Sequence, residues 1–346
     1  MNLRDLALEL GLSQTTVSRA LNGYPEVAEA TRQRVSDAAR RHNYKPNTRA
    51  KALATGRAMA IGHVIPLAAQ TEMVNPVFAD FIAGASETYM SNGYDIVLSV
   101  TKNEDEARVY LDMAAKRMVD GVIVQSPTAD DPRIALLKKV GLPFVVHGRA
   151  ADLPDDYSYI DVNNKRAFQR GTEFLVDLGH ARIALINGRE SLGFANRRKA
   201  GFIAGLKARG LTPDPALMLS DEMTEGYGYS AMRTLLSLAH PPTAFICSSA
   251  IIAFGMRRAA DEAGLRLGQD ISLITYDDDL SYFKNGDDET IFTALRSSVR
   301  TAGRCAAEML IDLINEPDVP RQRMMEAELI VGRSTGPARP NGTIYR

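Results

Sequence analysis

The sequence predicts an all-α helix-turn-helix head at the N-terminus, followed by an α/β body of two doubly wound parallel-sheet lobes. Three observations lead there. Up to about Pro46, apolar residues recur at helical spacing and glycine breaks the run twice. From Ala60 onward, short apolar runs alternate with amphipathic stretches, the pattern of parallel strands covered by helices on both faces. Charge also divides unevenly: residues 1–57 hold ten Lys/Arg against five Asp/Glu, leaving 31 basic and 37 acidic residues for the rest, so a head near +5 precedes a body near −6. That asymmetry points to a polyanion met by the head alone.

In the head, Leu3, Leu6, Ala7 and Leu10 line one face of a first helix, which Gly11-Leu12 ends. Ser13 is placed to cap a second short helix with Val17, Ala20 and Leu21 inward and Asn22-Gly23 as its stop. Thr31 is placed to cap a third, running through Val35, Ala38 and Ala39 to about His42, and Pro46 forbids simple continuation. The segment NTRAKALATG has Asn47 as cap and Thr55-Gly56 as stop, and is too short for a stable isolated helix.

In the body, AIGHVI (60–65), YDIVLSV (94–100), DGVIVQS (120–126) and PFVVHG (143–148) read as buried strands, with helices near 76–92, 104–117 and 131–140 between them. A second series follows: RIALING (182–188), a helix from about 197 to 209, LMLS (217–220), a helix near 228–238, TAFICSS (243–249), a helix near 251–263 and DISLITYDD (270–278). Late in the chain come a strand IFTALR (291–296), a helix near 299–314 and a last strand MEAELIVG (325–332), and the Pro/Gly-rich end PARPNGTIYR is expected to be disordered. The expected domains are a head over 1–46, a linker over 47–57, a body over 58–338 and a tail over 339–346. Lobe one is expected from about 58–161 with 293–318, and lobe two from 162–292 with 322–338.

Several function classes recede on composition. With 45% hydrophobic and 24% charged residues, the chain has no apolar run near the roughly eighteen residues of a membrane helix. Its start, MNLRDLALELG, lacks the basic-then-apolar order of a secretory signal, so a cytoplasmic protein is expected. Cys247 and Cys305 match no metal or redox spacing, His42, His63, His147, His180 and His240 have no ligand spacing, and GYGYS at 226–230 is no phosphate loop, so no cofactor or metal is expected.

On the second helix, inward Val17 and Leu21 leave Gln14, Thr15, Ser18 and Arg19 outward. Gln pairs with adenine edges, Arg with guanine and the Thr methyl with thymine. A helix, a tight turn and such a second helix form the shape that enters a major groove. A solvated helix face is the bland alternative, which the basic head disfavours.

The stretch DLALELGLSQTTVSRALNGYPEVAEATRQRVSDAARRHNYKPNTRAKALATG resembles the DNA-binding head of the lactose repressor (LacI/GalR) family of bacterial regulators. The resemblance implies that Gln14, Thr15 and Arg19 read bases, while Ser13, Thr16, Ser18, Asn22, Thr31 and Tyr44 position the head on phosphates. It also makes residues 47–54 a hinge helix, with Asn47, Arg49 and Ala50 at the DNA and Leu53 inserted into the minor groove. An inserted leucine kinks a flexible step, and a marginal helix gains stability from such a partner.

The same family has a body like the periplasmic sugar-binding proteins, and the landmarks here are GH.RIALING (179–188), R..GF..GL...G (198–210), PTAF (242–245) and GQDISLITYDD (268–278). By that similarity Arg198 grips effector hydroxyls and Asp277 is the carboxylate opposite it. Phe78, His147, Arg149 and Asn163 are further effector candidates. Where many members carry Asn-Asp, this chain reads Ser249-Ala250, so its pocket must hydrogen-bond differently. The subgroup resembles regulators of α-glucoside uptake.

The reading is therefore a homodimeric repressor on a pseudo-palindromic operator, with a mono- or disaccharide effector entering between the lobes, changing their angle and biasing the hinge helices towards disorder. The residues after 338 carry no leucine heptad, so a dimer is expected rather than a tail-assembled tetramer. A sugar-binding transport protein without DNA function is the first rival and would need a signal peptide. An enzyme with Asp277, Asp278 and Asp279 as paired acids is the second, and consecutive acids at a strand end do not make a matched pair.

Overall fold

The computed structural model describes residues 1–21, 23–44, 56–66, 75–101, 105–150, 153–154, 156–286, 289–317 and 319–339. Asn22 and the expected hinge helix, with Asn47, Arg49, Ala50 and Leu53, lie outside the described residues. The chain divides into two compact units, Met1–Met59 with Arg117–Val119, and the remainder.

The head holds α1 (Leu3–Leu10), α2 (Gln14–Leu21) and α3 (Glu29–Arg41). Asn2 and Asp5 form a reciprocal capping box on α1, and Gly11 ends it in the left-handed region at φ 64°, where glycine carries no Cβ penalty. The Ser13 hydroxyl accepts the Thr16 N–H at 3.0 Å and so satisfies one of the orphan donors at the start of α2. Thr31 does not cap α3. That helix starts three residues earlier, after Ala28, whose side chain makes no capping bond, and Glu29 supplies the favourable negative charge in its first turn. Leu6, Ala7, Val17, Ala20, Val27, Val35, Ala38 and Ala39 close the core, and full burial of a Leu or Val contributes about 1.5 to 3 kcal/mol.

In the body, the chain runs β1 (Ala60–Pro66), α4 (Pro76–Ser91), β2 (Asp95–Thr101), α5 (Glu106–Ala115), β3 (Gly121–Gln125), α6 (Pro132–Val140), β4 (Phe144–His147) and β5 (Tyr159–Val162). Then come α7 (Asn164–Asp177), β6 (Ile183–Asn187), α8 (Gly193–Ala208), β7 (Met218–Ser220), α9 (Glu225–Leu236), β8 (Ala244–Cys247), α10 (Ala250–Glu262), β9 (Ser272–Asp277) and β10 (Thr293–Arg296). The last elements are α11 (Val299–Asn315), β11 (Gln322–Met325) and β12 (Glu328–Ile330). One sheet has the order β11-β5-β4-β3-β1-β2 and the other β12-β10-β9-β8-β6-β7. All pairings are parallel except that of β12 with β10.

The allocation of late segments differs from the sequence expectation. Residues 293–296 belong to the second sheet, because β10 pairs in register with β9, Ala294 opposite Thr275. The run MEAELIVG is not one strand: Gln322–Met325 joins the first sheet beside β5, and Glu328–Ile330 joins the second. The chain thus passes between lobes near Asn163, near Ser297 and near Glu326. Strand β5 and helix α7 escaped the sequence reading altogether. Their signal is present, since Asn163 caps α7 by accepting the Arg166 N–H and Phe168 and Leu175 lie inward, but the strand is only four residues long. Helix α8 also begins four residues ahead of expectation, at Gly193.

Both cysteines are free and buried. Among the described residues no helix is long and apolar enough to cross a membrane, and no His/Cys/Asp/Glu group is arranged to hold a metal.

Candidate functional site

The carboxyl ends of the two parallel sheets face a cavity of about 150 Å³, the place where doubly wound lobes bind ligands. Arg198 forms its centre. One turn into α8 and only 6% exposed, it donates from Nε to Asn164 Oδ1 at 2.8 Å and from a terminal nitrogen to the Ser248 carbonyl at 2.7 Å. Its guanidinium lies 3.8 Å from the Tyr276 ring centroid and 4.8 Å from that of Phe194, close enough for cation–π attraction. Burial lowers the Arg198 pKa, against which Tyr276 and Asp278 pull upward.

Asp278 faces the same cavity, and among the described residues its carboxylate makes no hydrogen bond. Desolvation, with a smaller contribution from neighbouring Asp277, pushes it up to about 7, although Arg198 acts to lower it. His147 lines the other lobe's side: its Nδ1 meets Gln125 Oε1 at 2.7 Å, its ring stacks on Phe81 at 4.5 Å, and burial lowers its pKa to about 4. Nε2 is then the nitrogen left for a ligand. Ser249 caps α10, accepting the Ile251 N–H at 3.2 Å, while the Ser248 hydroxyl donates to Asn187 Oδ1 at 2.7 Å.

Of the effector candidates named from sequence, His147, Arg198 and Ser249 line this cavity, and Phe78, Arg149, Asn163 and Asp277 do not. Each of these four side chains has a local partner or direction that accounts for its place. Asp277 ends β9 with its carboxylate accepting the Asp279 N–H at 2.9 Å and Arg296 Nε at 3.1 Å, and strand alternation turns Asp278 inward instead. Asn163 is spent on capping α7 and on donating to Glu326, so Asn164 is the residue that reaches Arg198. Arg149 lies over the Tyr159 ring and 4.0 Å from Asp161, which itself lines the cavity. On α4, Asn75 and Val77 reach the cavity while Phe78, about 100° further round the helix, does not. Tyr276 and Asp278 were findable in LITYDDD as positions of one parity.

The raised Asp278 carries a testable consequence. Its folded value of about 7 exceeds the ordinary 3.8, so its contribution to stability is fully present below about pH 4 and is lost as pH rises through about 7. Asp278→Asn should therefore gain thermal stability relative to the parent as pH goes from 5 to 8, by at most a few kcal/mol. Parallel melting curves of the two proteins over that range would deny the shift.

In the head, Gln14, Thr15 and Arg19 are exposed along one face of α2, whereas Thr16 and Ser18 are half-buried. The Thr16 hydroxyl is 2.9 Å from that of exposed Ser13. Thr31 is half-buried, and Tyr44 packs against the head core.

Residues 2–47 match the bacterial regulatory proteins of the lacI family, and residues 60–331 match the family of periplasmic binding proteins and the sugar binding domain of the LacI family. The transcriptional regulator AglR of Rhizobium meliloti (strain 1021) is 46% identical over 339 residues, 98% of this chain and 95% of that protein. RafR of Escherichia coli is 34% identical, over 91% and 92% of the two chains. Among solved structures, the lac repressor dimer bound to operator and the anti-inducer ONPF superposes with a TM-score of 0.80 at 26% identity, over 97% of this chain and 99% of that one. The transcriptional regulator CelR in complex with cellobiose gives 0.72 at 28%, over 96% and 99%. These relatives are transcriptional regulators, not enzymes, and a match that includes the DNA-binding head removes the transport-type reading. Helix-turn-helix head and two-lobed sugar-binding body together place this chain in the LacI family of bacterial transcriptional regulators.

Proposed function

We propose that the protein represses transcription as a homodimer on a pseudo-palindromic operator, acting in the cytoplasm at the nucleoid, and that a saccharide of the α-glucoside class controls it from the cavity between the lobes. The observation that carries the effector reading is the pairing of Tyr276 and Phe194 rings with Arg198, Asp278, Ser249 and His147 around one space. A sugar presents apolar C–H faces and rim hydroxyls, which suit such rings and polar atoms respectively. A volume near 150 Å³ is the size that encloses one six-membered ring, so one pyranose sits inside and a second unit extends toward the mouth. The α-linkage rests on the subgroup resemblance in the sequence. Thermal shifts with maltose, trehalose and sucrose against β-linked cellobiose test it. A ligand at a hundred times its Kd raises stability by about 2.7 kcal/mol, and a shift with cellobiose alone would reverse the linkage.

Two exposed apolar surfaces support the dimer. Edge strand β2 exposes Ile96, Leu98 and Val100, and the loop after β9 exposes Tyr282 at 85% together with Phe283. A bare apolar edge invites pairing, and a two-fold copy covers it. Leu98→Asp is expected to move the sedimentation mass from two protomers to one and to weaken operator binding at least ten-fold. A parent protein sedimenting near four protomers, or a Leu98→Asp dimer, contradicts this. Gln14, Thr15 and Arg19 read bases in this account, with Ser13, Thr16, Ser18, Asn22, Thr31, Tyr44 and residues 47–54 holding the backbone and minor groove.

A further inference from the structure

Outside the cavity the lobes also meet through a carboxylate. Asp80, buried in the first turns of α4 in lobe one, accepts the Ser281 N–H at 2.6 Å and the Ser281 hydroxyl at 2.6 Å, both from the loop that follows β9 in lobe two. Arg300, at the start of α11, adds a third bond at 3.0 Å. Asp80 stands on a platform that cannot yield, because α4 and α11 pack backbone to backbone. A Cβ at Gly84 would fall 2.0 Å from the Arg300 carbonyl oxygen, and one at Gly303 would fall 2.1 Å from that of Phe81. Arg300 belongs to the same lobe as Asp80, so the carboxylate keeps a charged partner when the lobes part, and what separation breaks at this contact is the set of Ser281 bonds, including the one Arg300 donates to the Ser281 hydroxyl at 3.1 Å. That makes the contact reversible.

The position of Ser281 gives the contact its meaning. Its loop begins at Asp278, which faces the cavity, and continues into Tyr282 and Phe283, whose rings are 5.3 Å apart on the surface. The Phe283 ring in turn lies 6.0 Å from Phe254 on α10. Elsewhere along the cleft the lobes touch by main chain, where Gly193 N–H donates to the Pro127 carbonyl at 2.9 Å and Thr128 bridges Leu192, and through Arg197 beside it, which donates to the Arg149 carbonyl at 2.9 Å and pairs with Asp161 at 2.9 Å. A Cβ at Gly193 would come within 2.6 Å of the Arg149 carbonyl oxygen, so this contact exists only with the lobes together.

We propose that Asp80 and Ser281 form an interlobe clasp that holds the cleft closed and ties closure to the position of the 278–283 loop, and through it to the exposed aromatic pair. Neither residue lines the cavity, so the clasp sets how readily the cleft opens without choosing what fills it.

Hydrogen exchange of the full-length protein without added ligand tests the clasp at a site it does not touch. In Asp80→Ala, the Gly193 amide is expected to exchange about ten-fold faster than in the parent, because lobe opening exposes it, with a smaller acceleration in Ser281→Ala, which keeps the backbone bond. Faster exchange at Ser281 with Gly193 unchanged in both variants overturns the proposal, since the contact would then be local. If Asp80→Ala does not fold, Ser281→Ala alone decides by the same amide. The chain has no tryptophan, so Phe283→Trp supplies a single tryptophan on the loop, excited selectively above the tyrosine absorption. Its quenching by acrylamide should rise when Ser281→Ala is added, and unchanged quenching refutes the link to the aromatic pair.

Discussion

Arg19→Ala is expected to relax base preference at one position of each operator half-site while leaving binding to random DNA almost untouched. Arg19 is exposed on the face of α2 away from Val17 and Ala20, which are buried in the head core, so its removal does not disturb the fold. It also makes no ion pair within the described residues. A bidentate arginine–guanine contact contributes about 1 to 3 kcal/mol of discrimination, a factor of roughly 5 to 150 in relative affinity. The check is a competition series with each operator base pair changed in turn. Equal losses on operator and random sequence would make Arg19 a phosphate contact and move the reading role to Gln14 and Thr15.

Arg198→Ala is expected to abolish the response to effector, with an affinity loss of at least 100-fold, while operator binding without ligand stays within a few-fold of the parent. The guanidinium holds Asn164 and the Ser248 carbonyl and packs on Tyr276, so its loss disorganises three parts of the cavity and leaves Asp278 without its countercharge. Each buried polar group left without a partner costs about 1 to 3 kcal/mol. Arg198→Lys is expected to recover little, because an ammonium cannot reproduce the planar fork or the stacking on Tyr276. Calorimetric titration with the saccharide found by thermal shift measures this, and parent-like affinity in Arg198→Ala would take the effector out of this cavity.

How much was legible in the chain depends on the scale asked about. Periodicity carried the head: Leu6, Val17, Val35 and Ala38 lie in one core as their spacing requires, and Gly11 stops α1 in the left-handed conformation. Alternating runs likewise marked most strands of both sheets. What the sequence leaves open is single-residue register. Asp277 and Asp278 are chemically identical in sequence, and only the end of β9 and the reach of Arg296 decide which faces the cleft. Asn163 and Asn164 repeat the lesson, since one is taken by the α7 cap and the other is free for Arg198. The lobe allocation failed for a related reason: β10 and β11 are short, and which sheet receives a short strand is set by partners more than a hundred residues away in the case of β11 and β5. The Asp80–Ser281 contact, 201 residues apart along the chain, has no sequence signature at all.

The most direct test of the account is the operator affinity of the protein, measured by fluorescence anisotropy on its footprinted site with and without saturating α-glucoside. Two sites coupled through lobe closure are expected to differ by about 1 to 3 kcal/mol, a change of roughly 5- to 150-fold in operator Kd that is lost in Arg198→Ala. An operator Kd that stays the same to within two-fold, with the saccharide demonstrably bound, would contradict the claim that this cavity governs the DNA-binding head.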